Sequence, residues 1–328
     1  MINRRFSRRA LLRGVAGGVA ATAQTAATAR PSVAACPQGR PTDPAQFKAQ
    51  VRGAILSIPT PFTGSLDVDY DGVRTMIRRA LPHDIRIFSL TSGNSQYASL
   101  KHDEILELTR VMVEAAGDEG LTIAATDLWD EPKTIEYARF AESVGASAVQ
   151  IIRPETDDDE LVFQFFKNVA PQTELPIVLH GNFSMPLLEK LVTIESIVAL
   201  KEDVGLEYYV QVQRKFGDRL AVFEGGPEYA YLVAYPYGSP ASYTTLGTFA
   251  PQLTQQFWQA LERKDLGAAY DMVIKYEHPF FDRWSHAFWR ASLEHFGVAD
   301  RYLRPPQESF NDEQMREVAK FYSDIGLS

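Results

Sequence analysis

The sequence predicts a (β/α)8 TIM barrel with extra C-terminal helices. Short apolar runs alternate with helix-like segments after residue 50, and eight such runs recur at intervals of 20 to 36 residues. Eight βα units close naturally into a barrel. Runs such as Ile177–Leu179 and Ile197–Leu200 are apolar throughout, as expected of parallel strands that are buried on both faces. A doubly wound open sheet is the alternative, but no early strand is followed by a glycine-rich phosphate loop.

The elements follow in a regular order along the chain. The eight predicted strands lie near Gly53–Pro59, Ile85–Leu90, Leu121–Thr126, Ala148–Ile152, Pro176–His180, Ile197–Leu200, Arg219–Phe223 and Ala241–Leu246. The segment Lys101–Ala116 has the apolar spacing of an amphipathic helix, and Ser99 is its predicted N-cap. No strand pattern occurs beyond residue 262, and residues 267–297 and 311–326 are predicted to be helical.

Charge is distributed unevenly along the chain. Residues 1–35 contain six arginines and no acidic residue, although the whole chain has a net charge of −9. The remainder therefore holds 27 basic and 42 acidic residues, a net charge of −15. Such an acidic protein is a poor partner for nucleic acid, which requires a basic surface.

The first 35 residues have the pattern of an export signal. Ser7–Arg13 contains a pair of arginines, a short apolar step and a further base, and thus resembles a twin-arginine signal. An apolar stretch rich in glycine and alanine follows, and then a region of small residues. The sequence therefore predicts transport by the twin-arginine translocase to the periplasm. A disordered basic arm is the alternative interpretation.

The single cysteine, Cys36, excludes an intramolecular disulfide framework and a zinc site with several cysteine ligands. It directly follows Val33–Ala35, a loose match to the box that precedes a lipidated cysteine, so Cys36 is a possible lipidation site. The predicted organisation is a signal over 1–35, a linker over 36–50, a barrel over 51–262 and a helical cap of the same domain over 263–328.

In a TIM barrel the functional residues lie at the C-terminal ends of the strands and in the loops that follow them. The polar residues at those positions are Thr60, Ser92–Gln96, Asp127, Arg153, His180, Lys201–Asp203, Glu224 and Thr244–Thr245.

Four of these stretches resemble the dihydrodipicolinate synthase / N-acetylneuraminate lyase family. The first is Pro59–Phe62, which is similar to the family's Thr-Pro-Phe. The second is Ser92–Gln96 followed by Leu100–Glu104, where the family has Gly-Thr-Thr-Gly-Glu followed by Leu-x-x-Asp/Glu-Glu. The third is Ile197–Glu202, similar to Ile-Val-Gly-Ile-Lys-Glu, and the fourth is Glu224–Gly226, near the family's Gly-Asp. The resemblance covers about residues 52–260. It implies a barrel enzyme that acts on a 2-oxo acid and is often a dimer or tetramer.

The resemblance implies that Lys201 forms a Schiff base with the substrate, and that no other cofactor is needed. A lysine at the end of an apolar strand is partly desolvated, which favours the neutral amine that attacks a carbonyl. The alternative is a lysine that reaches solvent and pairs with Glu202 or Asp203. His180 stands where the family has a proton-relaying tyrosine, and histidine is a competent acid or base near neutral pH.

The predicted substrate-binding residues are Thr60, Gly93, Asn94, Ser95, Arg153, Glu224 and Gly225. Short hydroxyls and backbone N–H groups in the 92–95 turn are suitable donors to a carboxylate. Arg153 offers a second anion contact.

Three departures from the family pattern argue against dihydrodipicolinate synthesis itself. The family's carboxylate-binding arginine aligns with Met185, which cannot supply a guanidinium. The tyrosine pair that crosses a subunit contact aligns with Glu155–Thr156, and the loop threonines become Gly93 and Asn94. We therefore expect an exported lyase, aldolase or dehydratase.

Two other functions remain open from the sequence. One is a metal-dependent barrel enzyme that uses His180, Glu202, Asp203 and Glu224, although no tight ligand motif is present. The other is a solute-binding protein on a degenerate barrel that lacks catalytic activity.

Overall fold

Residues 43–327, which the computed structural model describes, form a closed barrel of eight parallel strands in chain order, with helices around it. The predicted fold class is confirmed. The strands are β1 Gly53–Ser57, β2 Ile87–Ser89, β3 Leu121–Ala125, β4 Ala148–Ile152, β5 Ile177–His180, β6 Ile197–Glu202, β7 Ala221–Glu224 and β8 Ala241–Thr244. The predicted signal segment 1–35 and Cys36 lie outside the described residues.

Thirteen α-helices lie within the described range, and none of them is long and apolar enough to cross a membrane. They are α1 Pro44–Gln50, α2 Tyr70–Ala80, α3 His102–Ala116, α4 Glu131–Ser143, α5 Asp159–Val169, α6 Met185–Leu191, α7 Leu206–Phe216, α8 Glu228–Ala234, α9 Pro251–Glu262, α10 Leu266–Met272, α11 His278–Phe281, α12 His286–His295 and α13 Asp312–Asp324. Short 3₁₀ turns lie at Leu81–His83, Tyr97–Ser99, Gly117–Glu119, Ala170–Gln172, Tyr235–Tyr237 and Leu246–Thr248.

Side-chain caps fix where many of the helices begin. Asp130, for example, accepts a hydrogen bond from the backbone N–H of Lys133 (3.0 Å) at the start of α4. The predicted cap of α3 by Ser99 is wrong, because α3 begins at His102 and Lys101 occupies the N-cap position. The backbone N–H of Lys101 donates to the Glu104 carboxylate (2.8 Å), whereas the Lys101 side chain has no acceptor atom for the N–H groups of the first helical turn.

The core has two layers, one inside the barrel and one between the barrel and its helices. The inner layer includes Ile55, Ile123 and Val178, and Phe47 of α1 joins it with its side chain fully buried. The segment 36–50 was predicted to be a linker, but its described part contains α1. Burial of the Phe47 side chain stabilises the packing of α1 against the barrel.

The C-terminal segment is tied back to the barrel by an ion pair. The Arg304 guanidinium donates to both carboxylate oxygens of Glu104 on α3, at 2.7 and 2.8 Å. It also lies over the ring of Phe62, 4.7 Å from the ring centroid. The predicted long helix 267–297 is interrupted, with a π-helical turn at Val273–Glu277 and a break between α11 and α12.

Candidate active site

Three ionisable side chains meet at the C-terminal ends of β5 and β6. The Nζ atom of Lys201 contacts a carboxylate oxygen of Asp203 and lies 3.2 Å from Nε2 of His180. Nε2 of His180 is 2.9 Å from the same Asp203 oxygen. The structure therefore joins the two predicted catalytic residues, Lys201 and His180, through Asp203.

The register of the sheet explains this meeting. His180 and Lys201 are direct partners across β5 and β6, so their side chains point to the same side. Asp203 lies two residues after Lys201 and therefore returns to the same side. Lys201 is only 7% exposed, which places its amine within the mouth of the barrel.

A row of buried polar side chains continues from His180 across the barrel interior. Nε2 of Gln150 on β4 lies 3.3 Å from Nδ1 of His180, and the hydroxyl of Tyr243 on β8 donates to Oε1 of Gln150 (3.0 Å). The Tyr243 hydroxyl is also 2.8 Å from the hydroxyl of Ser89 on β2. The Tyr243 ring lies under the lysine, with Nζ of Lys201 5.2 Å from the ring centroid. The row thus connects three further strands to the group formed by His180, Lys201 and Asp203.

Burial and charge set the protonation states of this group. Burial lowers the pKa of His180, and the positive charge of Lys201 lowers it further, while Asp203 opposes both effects. Burial alone would raise the pKa of Asp203, but its hydrogen bond with His180 and the charge of Lys201 outweigh burial and lower the pKa strongly. At neutral pH the site therefore holds a neutral His180 and an ionised Asp203.

Gly225, a predicted substrate-binding residue, lies directly against Asp203. A Cβ atom at Gly225 would overlap Oδ1 of Asp203 and would lie 2.8 Å from the backbone oxygen of Glu202. The Gly225 N–H donates to that same backbone oxygen (2.8 Å). Glycine at this position therefore makes room for the carboxylate that holds Lys201 and His180.

Glu224, another predicted binding residue, belongs to a different cluster. It is the register partner of Glu202, whereas Lys201 pairs with Phe223, so Glu224 points to the opposite side of the sheet from Lys201. Its carboxylate accepts the Gly226 N–H (3.1 Å), and burial raises its pKa to about 7. The structure does not bring Glu224 into the group around Lys201.

The predicted carboxylate-binding turn lies at the mouth of the barrel, after β2. The hydroxyl of Thr60 donates to the backbone oxygen of Ser95, and the Ser95 hydroxyl donates to the backbone oxygen of Ile58, both at 2.6 Å. Asn94 donates to the hydroxyl of Ser57 on β1 (2.9 Å), and the space beside Gly93 is open. Thr60 and Ser95 thus hold the turn together with their hydroxyls, and their role in binding stays a prediction.

Arg153 lies beside His180 in the sheet, and its backbone N–H donates to the His180 carbonyl (2.8 Å). Its guanidinium is 3.6 Å from the carboxylate of Asp159, and its Nε atom has no hydrogen-bond partner among residues 43–327. An anion contact from Arg153 also stays a prediction.

Sequence reasoning missed Gln150, Tyr243 and Ser89. Each is a polar residue in the middle or at the end of a short, otherwise apolar strand, and each points into the barrel. A count of inward-facing polar positions along the predicted strands is the signal that could have found them.

Comparison with known proteins extends these observations. A model of the dihydrodipicolinate synthetase family matches residues 50–325. This chain belongs to that family. It is therefore an enzyme of the lyase class, of the class I aldolase type, as the family motif that contains Lys201 predicts.

Two relatives match this chain over nearly their whole length. An "Uncharacterized DapA-like lyase" from Pyrobaculum islandicum is 23% identical over 302 residues, which are 85% of this chain and 99% of that protein. A "Probable 5-dehydro-4-deoxyglucarate dehydratase" from Rhodococcus opacus is 27% identical over 301 residues, 86% of this chain and 98% of that protein.

Solved structures show the same fold. N-acetylneuraminate lyase from Mycoplasma synoviae has a TM-score of 0.75 at 18% identity, over 84% of this chain and 98% of that one. YagE, a prophage protein from E. coli K12 in complex with pyruvate, has a TM-score of 0.74 at 18% identity, over 84% of this chain and 99% of that one.

Proposed function

We propose that this protein is a lyase that forms a Schiff base between Lys201 and a 2-oxo acid or sugar acid, and that it breaks or forms a carbon–carbon or carbon–oxygen bond. The observation that carries the proposal is the contact of the Lys201 amine with both His180 and Asp203 at the end of β6. An amine that is almost buried beside two proton-exchanging groups is arranged for attack on a carbonyl.

The chemistry follows from the groups in contact with Nζ. The uncharged amine uses its lone pair to form a bond to the carbonyl carbon of the substrate, and the nitrogen then loses one proton. The carbonyl oxygen takes up two protons in all and leaves as water, while a second proton leaves nitrogen as the imine forms. Protonation of the imine makes an electron sink, which accepts the electron pair released from the neighbouring bond. His180 and Asp203 are the two groups placed to exchange these protons.

No additional cofactor is needed for this chemistry, because the lysine itself supplies the electron sink. The metal-dependent alternative finds little support in the geometry. Within residues 43–327, no three histidine, cysteine, aspartate or glutamate side chains are arranged to hold a metal ion. Glu202, one of the four residues in that hypothesis, instead accepts the backbone N–H of Gly205 (2.7 Å).

The substrate class rests on the binding turn and on the relatives. We propose that the turn at Gly93–Ser95 and Thr60 binds the substrate carboxylate, with Arg153 as a second anion contact. The dehydratase name of one relative and the pyruvate bound to YagE are consistent with a 2-oxo acid. Met185, at the start of α6, offers no guanidinium for a second carboxylate, so dihydrodipicolinate synthesis is not proposed.

A panel of 2-oxo acids and sugar acids tests this proposal. We expect turnover or imine trapping with at least one compound, strong loss in Lys201→Ala and a slower reaction in His180→Phe. Surface variant Lys190→Ala is the matched control, because Lys190 pairs with Glu160 away from the site. Binding that persists in Lys201→Met without any turnover would instead support a solute-binding protein.

We also propose export to the periplasm by the twin-arginine translocase, with Cys36 as a possible lipid attachment point. The support is the order of the basic, apolar and small-residue regions in residues 1–35. Cell fractionation of wild type and an Arg8→Lys, Arg9→Lys double variant tests it. We expect the variant to stay in the cytoplasm, and equal distribution of the two proteins would contradict the proposal.

The protein is further proposed to form a homo-oligomer, a dimer or tetramer. Large apolar side chains spaced four residues apart are exposed on α8 and the turn after it, and on α10 and the π turn. They are Tyr229, Val233 and Tyr237, and Leu266, Tyr270 and Ile274. Light scattering on purified protein measures the state, and a monomer at micromolar concentration would contradict this assignment.

A further inference from the structure

We infer that Gln150 and Tyr243 hold His180 as the neutral tautomer with its proton on Nε2, so that His180 serves as an N–H donor at the catalytic lysine. The inference deepens the proposed function and rests on it for its catalytic meaning. It begins from the row of polar groups that runs from Asp203 through the imidazole to β8.

The partner on the Nε2 side determines which nitrogen carries the proton. Nε2 lies 2.9 Å from an oxygen of Asp203 and 3.2 Å from Nζ of Lys201, and Nζ contacts the same oxygen, so this carboxylate oxygen is the acceptor that the two nitrogens share. An ionised carboxylate has only acceptor oxygens, so a 2.9 Å contact with it requires an N–H on the imidazole. The proton of a neutral His180 is therefore on Nε2, and Nδ1 carries the lone pair.

The partner of Nδ1, the Gln150 amide, agrees with this assignment. The Gln150 amide places its NH2 group 3.3 Å from Nδ1, where it can donate only to a lone pair. Its oxygen is held in the opposite direction by the hydroxyl of Tyr243 (3.0 Å). Gln150 is completely buried, so bulk solvent does not reach the amide. A proton on Nδ1 would face an N–H group and would break this arrangement.

The tautomer determines what His180 can do in the reaction. A neutral imidazole N–H polarises an oxygen without carrying a charge into the site. The His180 N–H thus replaces the hydroxyl of the tyrosine that the resemblance places at this position in the family. Asp203, rather than His180, is then the acceptor available to the Lys201 amine in the resting enzyme. Gln150 and Tyr243 are positioning residues, because they act through His180.

Nitrogen-15 NMR of histidine-labelled wild-type protein tests the inference without any substitution. The six histidines are separated by comparison with a His180→Gln variant. We expect Nε2 of His180 to give a pyrrole-type signal and Nδ1 a pyridine-type signal at neutral pH. The reverse pattern, or a fully protonated ring at pH 7, would overturn the inference.

The Gln150→Glu variant is the matched perturbation, since it has the same size and replaces the NH2 group by an acceptor. We expect Nδ1 to take up a second proton while Nε2 keeps its own, and the titration midpoint of His180 to rise by at least one pH unit relative to wild type. Tyr243→Phe removes the hydroxyl that holds the Gln150 oxygen, so the Gln150 amide can rotate and turn that oxygen toward Nδ1. The titration midpoint of His180 should then rise by a smaller amount than in Gln150→Glu. An unchanged midpoint in both variants would contradict the inference.

Trapping by borohydride separates this inference from the proposed function. If the wild-type protein forms an imine at Lys201 but has the Nδ1–H tautomer, only the inference fails. If the tautomer is as inferred but Lys201 forms no imine with any 2-oxo acid, the proposed function fails, and Gln150 retains a purely structural role.

Discussion

Replacing Gly225 by alanine should separate Asp203 from the two groups that it holds. The new Cβ atom would overlap Oδ1 of Asp203 and would stand 2.8 Å from the Asp203 Cγ atom. The backbone cannot easily withdraw, because the residue's N–H donates to the Glu202 carbonyl (2.8 Å). Normal contact distances therefore require the carboxylate to retreat by about 1 Å or more.

That displacement sets the expected size of the effect. The contact between His180 and Asp203 is 2.9 Å, and it does not survive a shift of this size. A hydrogen bond to a charged group contributes about 1.5–3 kcal/mol, which corresponds to a rate loss of roughly 10- to 150-fold if the bond is needed in the transition state.

Gly226→Ala is the matched control. Its Cβ atom would lie 3.2 Å from Glu224 Oε1 and 3.4 Å from the Ala230 Cβ atom, contacts that need only small adjustments. Neither glycine has a positive φ angle, so neither alanine variant is strained in its backbone torsion angles.

The assay is the rate at which pyruvate and cyanoborohydride label Lys201 in each variant, with urea denaturation to confirm folding. Equal rates for Gly225→Ala and Gly226→Ala in folded proteins would refute the assignment of Asp203.

Three stability predictions can be checked by urea denaturation. Gln96→Glu should raise the free energy of unfolding by about 1 kcal/mol, because it gives buried Arg290 a carboxylate in place of the amide oxygen 2.5 Å away, and the Gln307 amide, which accepts from Gln96 Nε2, can rotate to donate to the new oxygen; a decrease would contradict this. Burial and the charge of Glu228 raise the pKa of Glu277, so the folded protein holds a proton that the unfolded chain loses, and wild-type stability should fall as the pH rises above 4.5, the ordinary pKa of a glutamate. Glu228→Gln removes that charge and should reduce the fall, whereas an identical pH profile would argue against it. Phe47→Ala should cost about 3–5 kcal/mol because the ring is fully buried, and a loss below about 1 kcal/mol would show that α1 is not docked.

The fold could be predicted because strand burial is a local property of the sequence. Ile177–Leu179 and Ile197–Leu200 are apolar throughout, and both lie in strands of the barrel. The start of α3 could not be predicted in this way, because the Glu104 side chain makes the cap by accepting from the backbone N–H of Lys101. The sequence pattern around Ser99 does not reveal that contact.

The candidate site was predicted in part. Lys201 and His180 were among the polar residues at strand ends, and the resemblance to the family singled them out; the structure brings them within 3.2 Å of each other. From the sequence, Asp203 was an ion-pair partner of Lys201 or a metal ligand, and the structure shows that it contacts both Lys201 and His180. The direction of Glu224 depends on strand register, which sequence spacing alone does not determine.

The most direct test of the central claim is reduction of the protein with borohydride in the presence of pyruvate, followed by peptide mass spectrometry. We expect one pyruvate-derived adduct on Lys201, none on Lys190, and none at position 201 in Lys201→Met. An unmodified Lys201, across pyruvate and the wider panel of 2-oxo acids, would contradict the assignment of this lysine as the Schiff-base nucleophile.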